Sequence, residues 1–301
     1  MGFTWTNIDA YTDELSFDLI SRAVLTTDLM EKIEVRTGLQ AGTVAINLLD
    51  GDLNVSNRAC GFDTPSGDIN FSQVDIVIAD KQVKMEVCTN DLHTYYTSQY
   101  MTNDEDVVFE AVIADYYVQK LRAYNEGFLI NGDLADTVPG TTAGLKAQLE
   151  AAITAGDITP PAGAAAWNVG NAIDQALDLY DAIGEEVKDR DDLIMVVSPA
   201  NYRTLMRALV AADFRHYNFG AGESLILPGT NCEVVKSSGL TGSNFVFAGP
   251  AGFIIAGTGL TDSQSSFGMF YSPADDIVKV RAYWRLGVAA HQKSVFAANG
   301  L

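Results

Sequence analysis

The feature that most restricts how this chain folds is a long two-stranded excursion with a polar, turn-rich tip. Thr43 to Leu49 has the β-branched and apolar content of a strand, and a second strand-like stretch runs from Phe71 to about Val87. Between them, from about Asp50 to Asn70, the sequence is rich in turn-forming residues and poor in apolar ones. Because this tip has too little apolar surface to pack on its own domain, we expect another surface to order it. A mobile surface loop is the alternative.

A long amphipathic helix is predicted over residues 104–130. Asn103 or Asp104 can cap its N-terminus, and acidic residues follow in the first turn, where they favour the helix dipole. Asn131 and Gly132 suit the left-handed conformation that ends helices. At about 1.5 Å per residue, such a helix spans roughly 40 Å and acts as a structural spine. Its apolar stripe, interrupted by Asn125, consists of Val107, Ala111, Ala114, Val118, Leu121 and Phe128.

The rest of the chain alternates helical and strand patterns. One short helix is predicted over 145–153 and an amphipathic helix over 169–187. Leu193–Val197 is an apolar strand, and the helix after it opens with Ser198 as N-cap and Pro199 at its first position. The later strand candidates are CEVVK (232–236), NFVFA (244–248), GFIIA (252–256) and FGMFY (267–271).

The two ends of the chain carry distinct patterns. Apolar spacing over 17–36 predicts a helix or an arm, and the alternation from Val278 to Val288 predicts a strand with one core face and one cationic face. Residues 277–301 contain four cations and no acid, which leaves a net charge of −24 on the other 276 residues. An acidic body with a basic strand has the means to bind copies of itself, although a solvated strand face explains the pattern equally well.

The overall charge argues against a protein that grips nucleic acid. The chain has 39 acidic and 19 basic residues, a net charge of −20, whereas nucleic-acid affinity depends mainly on cations that contact phosphates. An acidic wall still allows DNA to lie nearby without binding it. Solubility is an adequate alternative explanation of the charge.

Short motifs of catalytic and metal-binding sites are absent. The sequence contains no GxxxxGK[ST], GxSxG or HExxH, and no GxGxxG after a strand. Asp50, Asp52 and Asn54 begin like a calcium loop, but Val55 stands where that loop needs glycine. We therefore name no catalytic residue and expect no cofactor and no metal; an enzyme stays an open alternative at this point, because many active sites carry no short motif. The three histidines lack metal-ligand spacing and are expected to be surface or core residues: His93, His216 and His291.

Cysteine usage and hydropathy indicate a reducing environment and no membrane segment. Cys60, Cys88 and Cys232 form no CxxC pair and are expected to be small buried residues. No apolar run reaches the roughly 18 residues that a spanning helix needs, and residues 1–18 lack the pattern of a signal peptide.

Taken in order, these features resemble the tailed-bacteriophage major capsid protein family with the Hong Kong 97-like fold. The text NRACGFDTPSGDINFSQVDIVIADKQVKMEVCTNDL is similar to that family's extended loop and returning strands, and LIMVVSPANYRTLMRAL is similar to its axial domain. FYSPADDIVKVRAYWRLGVAAHQKSVFAANG resembles its closing strand. The likeness runs from about Leu39 to the end of the chain and depends on the order of the motifs.

The resemblance implies an α+β fold with five parts. They are an N-terminal arm (1–38), an extended loop hairpin (39–80), a peripheral domain (81–165) with the spine helix at 104–130, an axial domain (166–270), and a closing strand (271–301) that returns to the peripheral domain.

The resemblance also implies a structural protein and not an enzyme. Its copies would self-assemble into pentamers and hexamers of an icosahedral shell, located in the virion and, during assembly, in the host cytoplasm. The shell would enclose double-stranded DNA without sequence-specific binding. Expected partners are a separate scaffolding protein and a portal, with a decoration protein as a further candidate. The candidate subunit-contact residues are Arg58, Phe62, Asp63, Asp68, Lys279, Arg281, Arg285 and Lys293.

Two departures from some relatives refine this expectation. No lysine occurs between Lys32 and Lys81, so we predict no isopeptide crosslink from the extended loop. No long, charged helical extension is present at the N-terminus to serve as an internal scaffold, which is why a separate scaffolding protein is expected. Two alternatives stay open: an encapsulin-like nanocompartment, which needs an inner pocket for a cargo peptide, and an α/β enzyme, which needs measurable turnover.

Overall fold

The computed structural model describes residues 27–52, 68–88, 109–132, 143–212, 225–259, 266–275 and 277–300. These residues form two β-sheets with helices packed around them. The arrangement combines helices and strands, as the sequence patterns predicted, in the α+β architecture that the family resemblance implied.

Four α-helices lie within the described ranges, and three of them agree closely with the predicted ones. The predicted spine helix is confirmed from residue 109 onward, and Val118, Leu121 and Phe128 of its stripe are buried; its predicted N-caps, Asn103 and Asp104, lie outside the described residues. The helices are α1 (Phe109–Asn131), α2 (Leu145–Ala155), α3 (Ala172–Asp181) and α4 (Pro199–Ala211).

The ends of α3 and α4 show how local chemistry sets helix boundaries. Ser198 caps α4 as predicted, because its hydroxyl oxygen accepts the backbone N–H of Asn201 at 3.2 Å. The helix predicted over 169–187 is shorter than expected. After α3, the backbone N–H of Gly184 donates to the carbonyl of Val295 at 3.5 Å, and Glu185–Val187 form a separate helical turn.

The first sheet is built around one long central strand that pairs with three others. Its strands are β1 (Glu34–Arg36), β2 (Gly42–Asp52), β3 (Asp68–Cys88), β8 (Ile254–Thr258), β9 (Ser266–Ser272) and the central β10 (Ile277–Ala290), in the order β1-β8-β10-β3-β2 with β9 also on β10.

The helical alternative of the N-terminal prediction is wrong over the residues that the structure describes, whereas the N-terminal arm (1–38) stays a prediction. Residues 27–33 form turns, and 34–36 form β1, which pairs in parallel with β8, whereas residues 1–26 lie outside the described ranges. Val35 packs partly buried against the main core, and this contact across more than 200 residues of sequence outweighs the local helical spacing.

Strand β3 changes partner along its length, and this change makes the predicted hairpin project. Residues 79–88 pair with β10 inside the sheet, whereas residues 68–78 pair with β2 alone among the described strands. The strand pair therefore leaves the sheet as a two-stranded arm. The tip of that arm, residues 53–67, lies outside the described residues.

The second sheet contains five strands, and its central strand, β4 (Leu193–Val197), is buried at every position. The predicted strand NFVFA begins later than expected, because Val246 instead exchanges hydrogen bonds with Asn299. The predicted strand GFIIA begins at Ile254, after a helical turn over Ala251–Phe253. The sheet has the order β11-β7-β4-β6-β5, with β4 (Leu193–Val197), β5 (Leu225–Ile226), β6 (Glu233–Lys236), β7 (Phe247–Pro250) and β11 (Ala297–Ala298).

The chain crosses between the two sheets more than once. Strand β8 belongs to the first sheet although it lies within the predicted axial range, and β11 belongs to the second sheet although it lies within the predicted closing segment. The predicted domain boundaries stay a prediction, but these two crossings join the sheets into one hydrophobic core.

Polar side chains on α1 connect it to both sheets. Asn125, the polar interruption of the apolar stripe, accepts the indole N–H of Trp284 at 2.9 Å within the core. On the next position, the carboxyl group of buried Glu126 accepts the backbone N–H of Ser238 at 3.0 Å and its hydroxyl at 2.7 Å. Asn131 donates from its side-chain amide to the carbonyl of Gly239 at 2.7 Å. These contacts fix the orientation of α1 relative to the second sheet.

We expect Glu126→Ala to lower the free energy of unfolding by about 1–3 kcal/mol, because it removes the acceptor of two hydrogen bonds at a partly buried site. Glu126→Gln keeps an acceptor for the backbone N–H and is expected to lose less. Urea denaturation followed by circular dichroism measures both variants. Equal losses for alanine and glutamine would show that the hydrogen bonds to Ser238 contribute little.

Candidate subunit-contact surface

The predicted contact residues divide between the hairpin arm and the closing strand. Arg58, Phe62 and Asp63 lie outside the described residues. Asp68 begins β3 at the outer end of the hairpin, where it pairs with Asp52 in the antiparallel register. The structure therefore places Asp68 on the arm that leads into the tip.

The hairpin arm is anchored at its root and exposed further out. At the root, Ile46, Ile76 and Ile78 are buried and pack with residues of β8 and β10 in a small cluster of their own. On the other face, the side-chain amide of Gln73 donates to that of Asn47 at 2.8 Å and ties the strands together. On this same face, two residues further out, the ring of Phe71 is 83% exposed. An aromatic ring this exposed on a projecting arm is available to a partner surface.

A second apolar feature lies between α1 and the first sheet. It is a groove of about 380 Å³, which we call the aromatic groove. Tyr117, Leu121 and Trp284 are buried and form its floor. Its walls include three large side chains that stay exposed: Tyr116 (55%), Tyr124 (48%) and Met85 (43%).

The rings of the aromatic groove contact one another and one lysine. Tyr124 meets Trp284 edge to face with centroids 6.2 Å apart, and Tyr116 meets Tyr117 in the same way at 6.0 Å. The ammonium group of Lys120 lies 5.5 Å from the ring centroid of Tyr116. Lys81 is a further lining residue, and its ammonium group lies 4.6 Å from the ring centroid of Phe128. The groove therefore presents exposed aromatic surface beside positive charge.

The closing strand is less cationic on its exposed face than its sequence predicted. Val278, Val280 and Ala282 are buried, which confirms the core face. Arg285 was expected on the exposed cationic face, but it is only 8% exposed. Its Nε donates to Asp80 of β3 at 2.6 Å. Its aliphatic stem packs against Gly259, where a β-carbon would come within 2.9 Å of it. The alternation fails here because both faces of β10 are covered beyond Trp284.

The other three cations of this segment remain at least partly exposed. Lys279 donates to Asp275 at 3.0 Å, and this contact, with a hydrogen bond from Ser272, holds the pKa of the Asp275 carboxyl below its ordinary value. The guanidinium of exposed Arg281 lies 5.7 Å from the ring centroid of Phe270. Lys293 lies in the helical turn that follows β10.

The described residues offer few groups for other chemistry. They contain no cluster of three or more histidine, cysteine, aspartate or glutamate side chains that could hold a metal ion, and none of their helices combines the length and apolarity needed to span a membrane. Cys232 is buried as expected, and burial raises the pKa of its thiol to about 12. Cys88 is exposed at the end of β3, which contradicts its expected burial, and Cys60 lies outside the described ranges.

Sequence reasoning missed the aromatic groove. Tyr116 and Tyr124 lie eight positions apart on α1 and outside its apolar stripe. Two large aromatic residues off the stripe were the signal that the sequence offered, and the structure shows that both are exposed.

No protein-family model and no curated protein matches this sequence. Solved structures do match over most of the chain. One from Gordonia phage Cozz has a TM-score of 0.59 and 12% identity, over 90% of this chain and 85% of that one. The satellite phage P4 procapsid that includes the size determination protein matches with a TM-score of 0.58 and 11% identity, over 93% of this chain and 97% of that one. The capsid of an empty GTA particle matches with a TM-score of 0.56 and 15% identity, over 92% of this chain and 89% of that one.

At these identities the comparisons report on the fold. The matched structures include a capsid and a procapsid, and the match covers both sheets of this chain because it extends over about nine-tenths of it. The chain therefore has the α+β fold of phage capsid and procapsid subunits, as its resemblance to the Hong Kong 97-like family predicted.

Proposed function

We propose that this chain is a shell subunit, which assembles with copies of itself into the pentamers and hexamers of an icosahedral capsid. The observation that carries the proposal is that one chain presents two complementary features: a projecting arm with an exposed aromatic ring, and a groove with exposed aromatic walls. The capsid fold supports it, because the matched structures include a capsid and a procapsid. The role is structural and not catalytic.

In this proposal the hairpin arm of one copy lies in the aromatic groove of a second copy. Phe71 would bury its ring against Tyr116 and Tyr124, which removes apolar surface of both partners from water. Charge supports the same pairing. Residues 50–70 contain four aspartates and one arginine, whereas Lys81 and Lys120 line the groove.

The remaining parts of the proposal come from the resemblance to the capsid protein family, and the charge of the chain bears only on the enclosed DNA. With a net charge of −20, the shell encloses double-stranded DNA without sequence-specific binding. Assembly takes place in the host cytoplasm and yields the capsid of the virion. A scaffolding protein sets the curvature, a portal occupies one vertex, and a decoration protein is an optional addition. Each subunit buries more than about 2,000 Å² against its neighbours, as obligate assemblies do.

We expect the yield of assembled particles to rise with salt between 0.1 M and 1 M sodium chloride. Acidic subunits repel one another, and the screening length falls from about 10 Å to about 3 Å over this range. Light scattering with electron microscopy of the purified chain at each salt concentration measures the yield. A yield that stays constant across the range would contradict the role assigned to the charge.

A further inference from the structure

The residue directly after β10 is a histidine enclosed by three other parts of the chain. His291 is 9% exposed, and its backbone N–H donates to the carbonyl of Phe253 at 3.0 Å. Its ring lies against the Phe253 ring with centroids 4.5 Å apart. Its Nε2 lies 3.4 Å from the carbonyl oxygen of Gly252, whereas its buried Nδ1 has no hydrogen-bond partner among the described residues.

Two arginines face this histidine, and each is already paired with a carboxylate. Arg190 binds Asp192 through two hydrogen bonds of 2.8 and 2.9 Å, and its guanidinium lies 4.9 Å from the centroid of the Phe253 ring. From β1, Arg36 donates to Glu34 at 2.8 Å. Both arginines and Glu34 act electrostatically on His291.

Asp192 also accepts hydrogen bonds from the turn Ala251–Phe253, which contacts the histidine. Its Oδ2 accepts the backbone N–H of Gly252 at 3.2 Å, and its own carbonyl accepts the N–H of Ala251 at 2.8 Å. Lys293, two residues beyond His291, is a further cation nearby in the chain and is partly exposed. A proton added to Nδ1 would create a buried positive charge that has no acceptor among the described residues and that two arginines repel.

We propose that His291 is a pH-sensitive latch: its neutral ring holds the turn Ala251–Phe253 against the end of β10, and its protonation loosens that turn and, through it, strand β1, which contacts the turn and pairs with β8. This device is independent of the proposed shell function, because it operates within one subunit.

The direction of the pH effect follows from the surroundings of the ring. Burial lowers the pKa of His291, with Arg36 and Arg190 adding to the effect, and the Gly252 carbonyl and Glu34 oppose it. The folded pKa is therefore below the unfolded value of about 6.5, so protons bind more readily to the loosened state. The stabilisation is complete above about pH 6.5 and is lost as the pH falls through the folded pKa.

Hydrogen exchange tests the latch, measured on the full-length chain at pH 7 and pH 5. The rates are corrected for intrinsic exchange and normalised to the amides of β4. We expect residues 34–36 and 251–255 of the unmodified chain to lose protection at pH 5, by about tenfold for each unit by which the pKa is lowered. His291→Gln and His291→Phe both remove the titrating group, and Phe also keeps the aromatic contact. In either variant the protection of these residues is expected to become independent of pH.

The other two histidines provide matched controls in the same chain. His93→Gln and His216→Gln also remove one titrating group each, and both variants are expected to keep the response of the unmodified chain. Two results would overturn the proposal: no local loss of protection in the unmodified chain at pH 5, or an unchanged loss in the variants at position 291. Neither result depends on whether the chain assembles into shells, so a failure here is distinct from a failure of the proposed function.

Discussion

Phe71→Ser is expected to reduce the fraction of chains in assembled particles at least tenfold while leaving the subunit folded. Burying a large apolar side chain at an interface contributes about 1.5–3 kcal/mol, and this loss recurs at every arm in a shell. In a single chain the ring is 83% exposed, so its removal changes the free energy of unfolding by no more than about 0.5 kcal/mol. Sedimentation through a sucrose gradient measures assembly, and urea denaturation measures stability.

The groove side of this contact is tested by Tyr124→Ser, which is expected to cause the same assembly defect as Phe71→Ser. Val169→Ser is the matched control, since Val169 is an exposed apolar residue outside both the hairpin and the groove. We expect it to assemble like the unmodified chain. If the Phe71 and Tyr124 variants assembled as well as the control, the arm would not bind this groove.

Gly287→Ala is expected to lower the free energy of unfolding by about 3 kcal/mol, because the backbone of β3 lies directly against Gly287 of β10 where the hairpin leaves the sheet. A β-carbon at position 287 would overlap the carbonyl oxygen of Val77 and lie 3.1 Å from the Cα of Ile78. Both of these are backbone atoms, so the strands must separate to make room. Thermal and urea denaturation measure the loss.

The control for this substitution lies on α1. Gly127 is also replaced by alanine, but a β-carbon there meets no atom within 4 Å. Since glycine within a helix costs about 0.5–1 kcal/mol relative to alanine, Gly127→Ala is expected to stabilise the chain. Equal effects of the two substitutions, in sign and size, would show that the close approach at Gly287 does not constrain the hairpin.

The parts of the fold that could be predicted are those with a regular apolar repeat. Helix α1, strand β4 and the core face of β10 each bury one continuous stripe or run, so their sequences report their burial directly. Ser198 and Pro199 likewise mark the start of α4 through local chemistry alone.

The features that could not be predicted depend on contacts between residues that are distant in sequence. Strand β1 has three residues, and its partner lies more than 200 positions away, so nothing local distinguishes it from a helical turn. Arg285 follows the alternation of an exposed face, yet Asp80 and Gly259 cover it. The aromatic groove combines residues of β3, α1 and β10, and no pattern within one of these elements indicates that they meet.

A cryo-electron microscopy reconstruction of the purified chain, assembled at high salt, tests the central claim most directly. The account predicts five-fold and six-fold rings, with irregular closure when no scaffolding protein is present, and residues 50–70 of each copy seated on the groove of another. A chain that stays a soluble monomer at high concentration, with residues 50–70 packed on their own subunit, would contradict it.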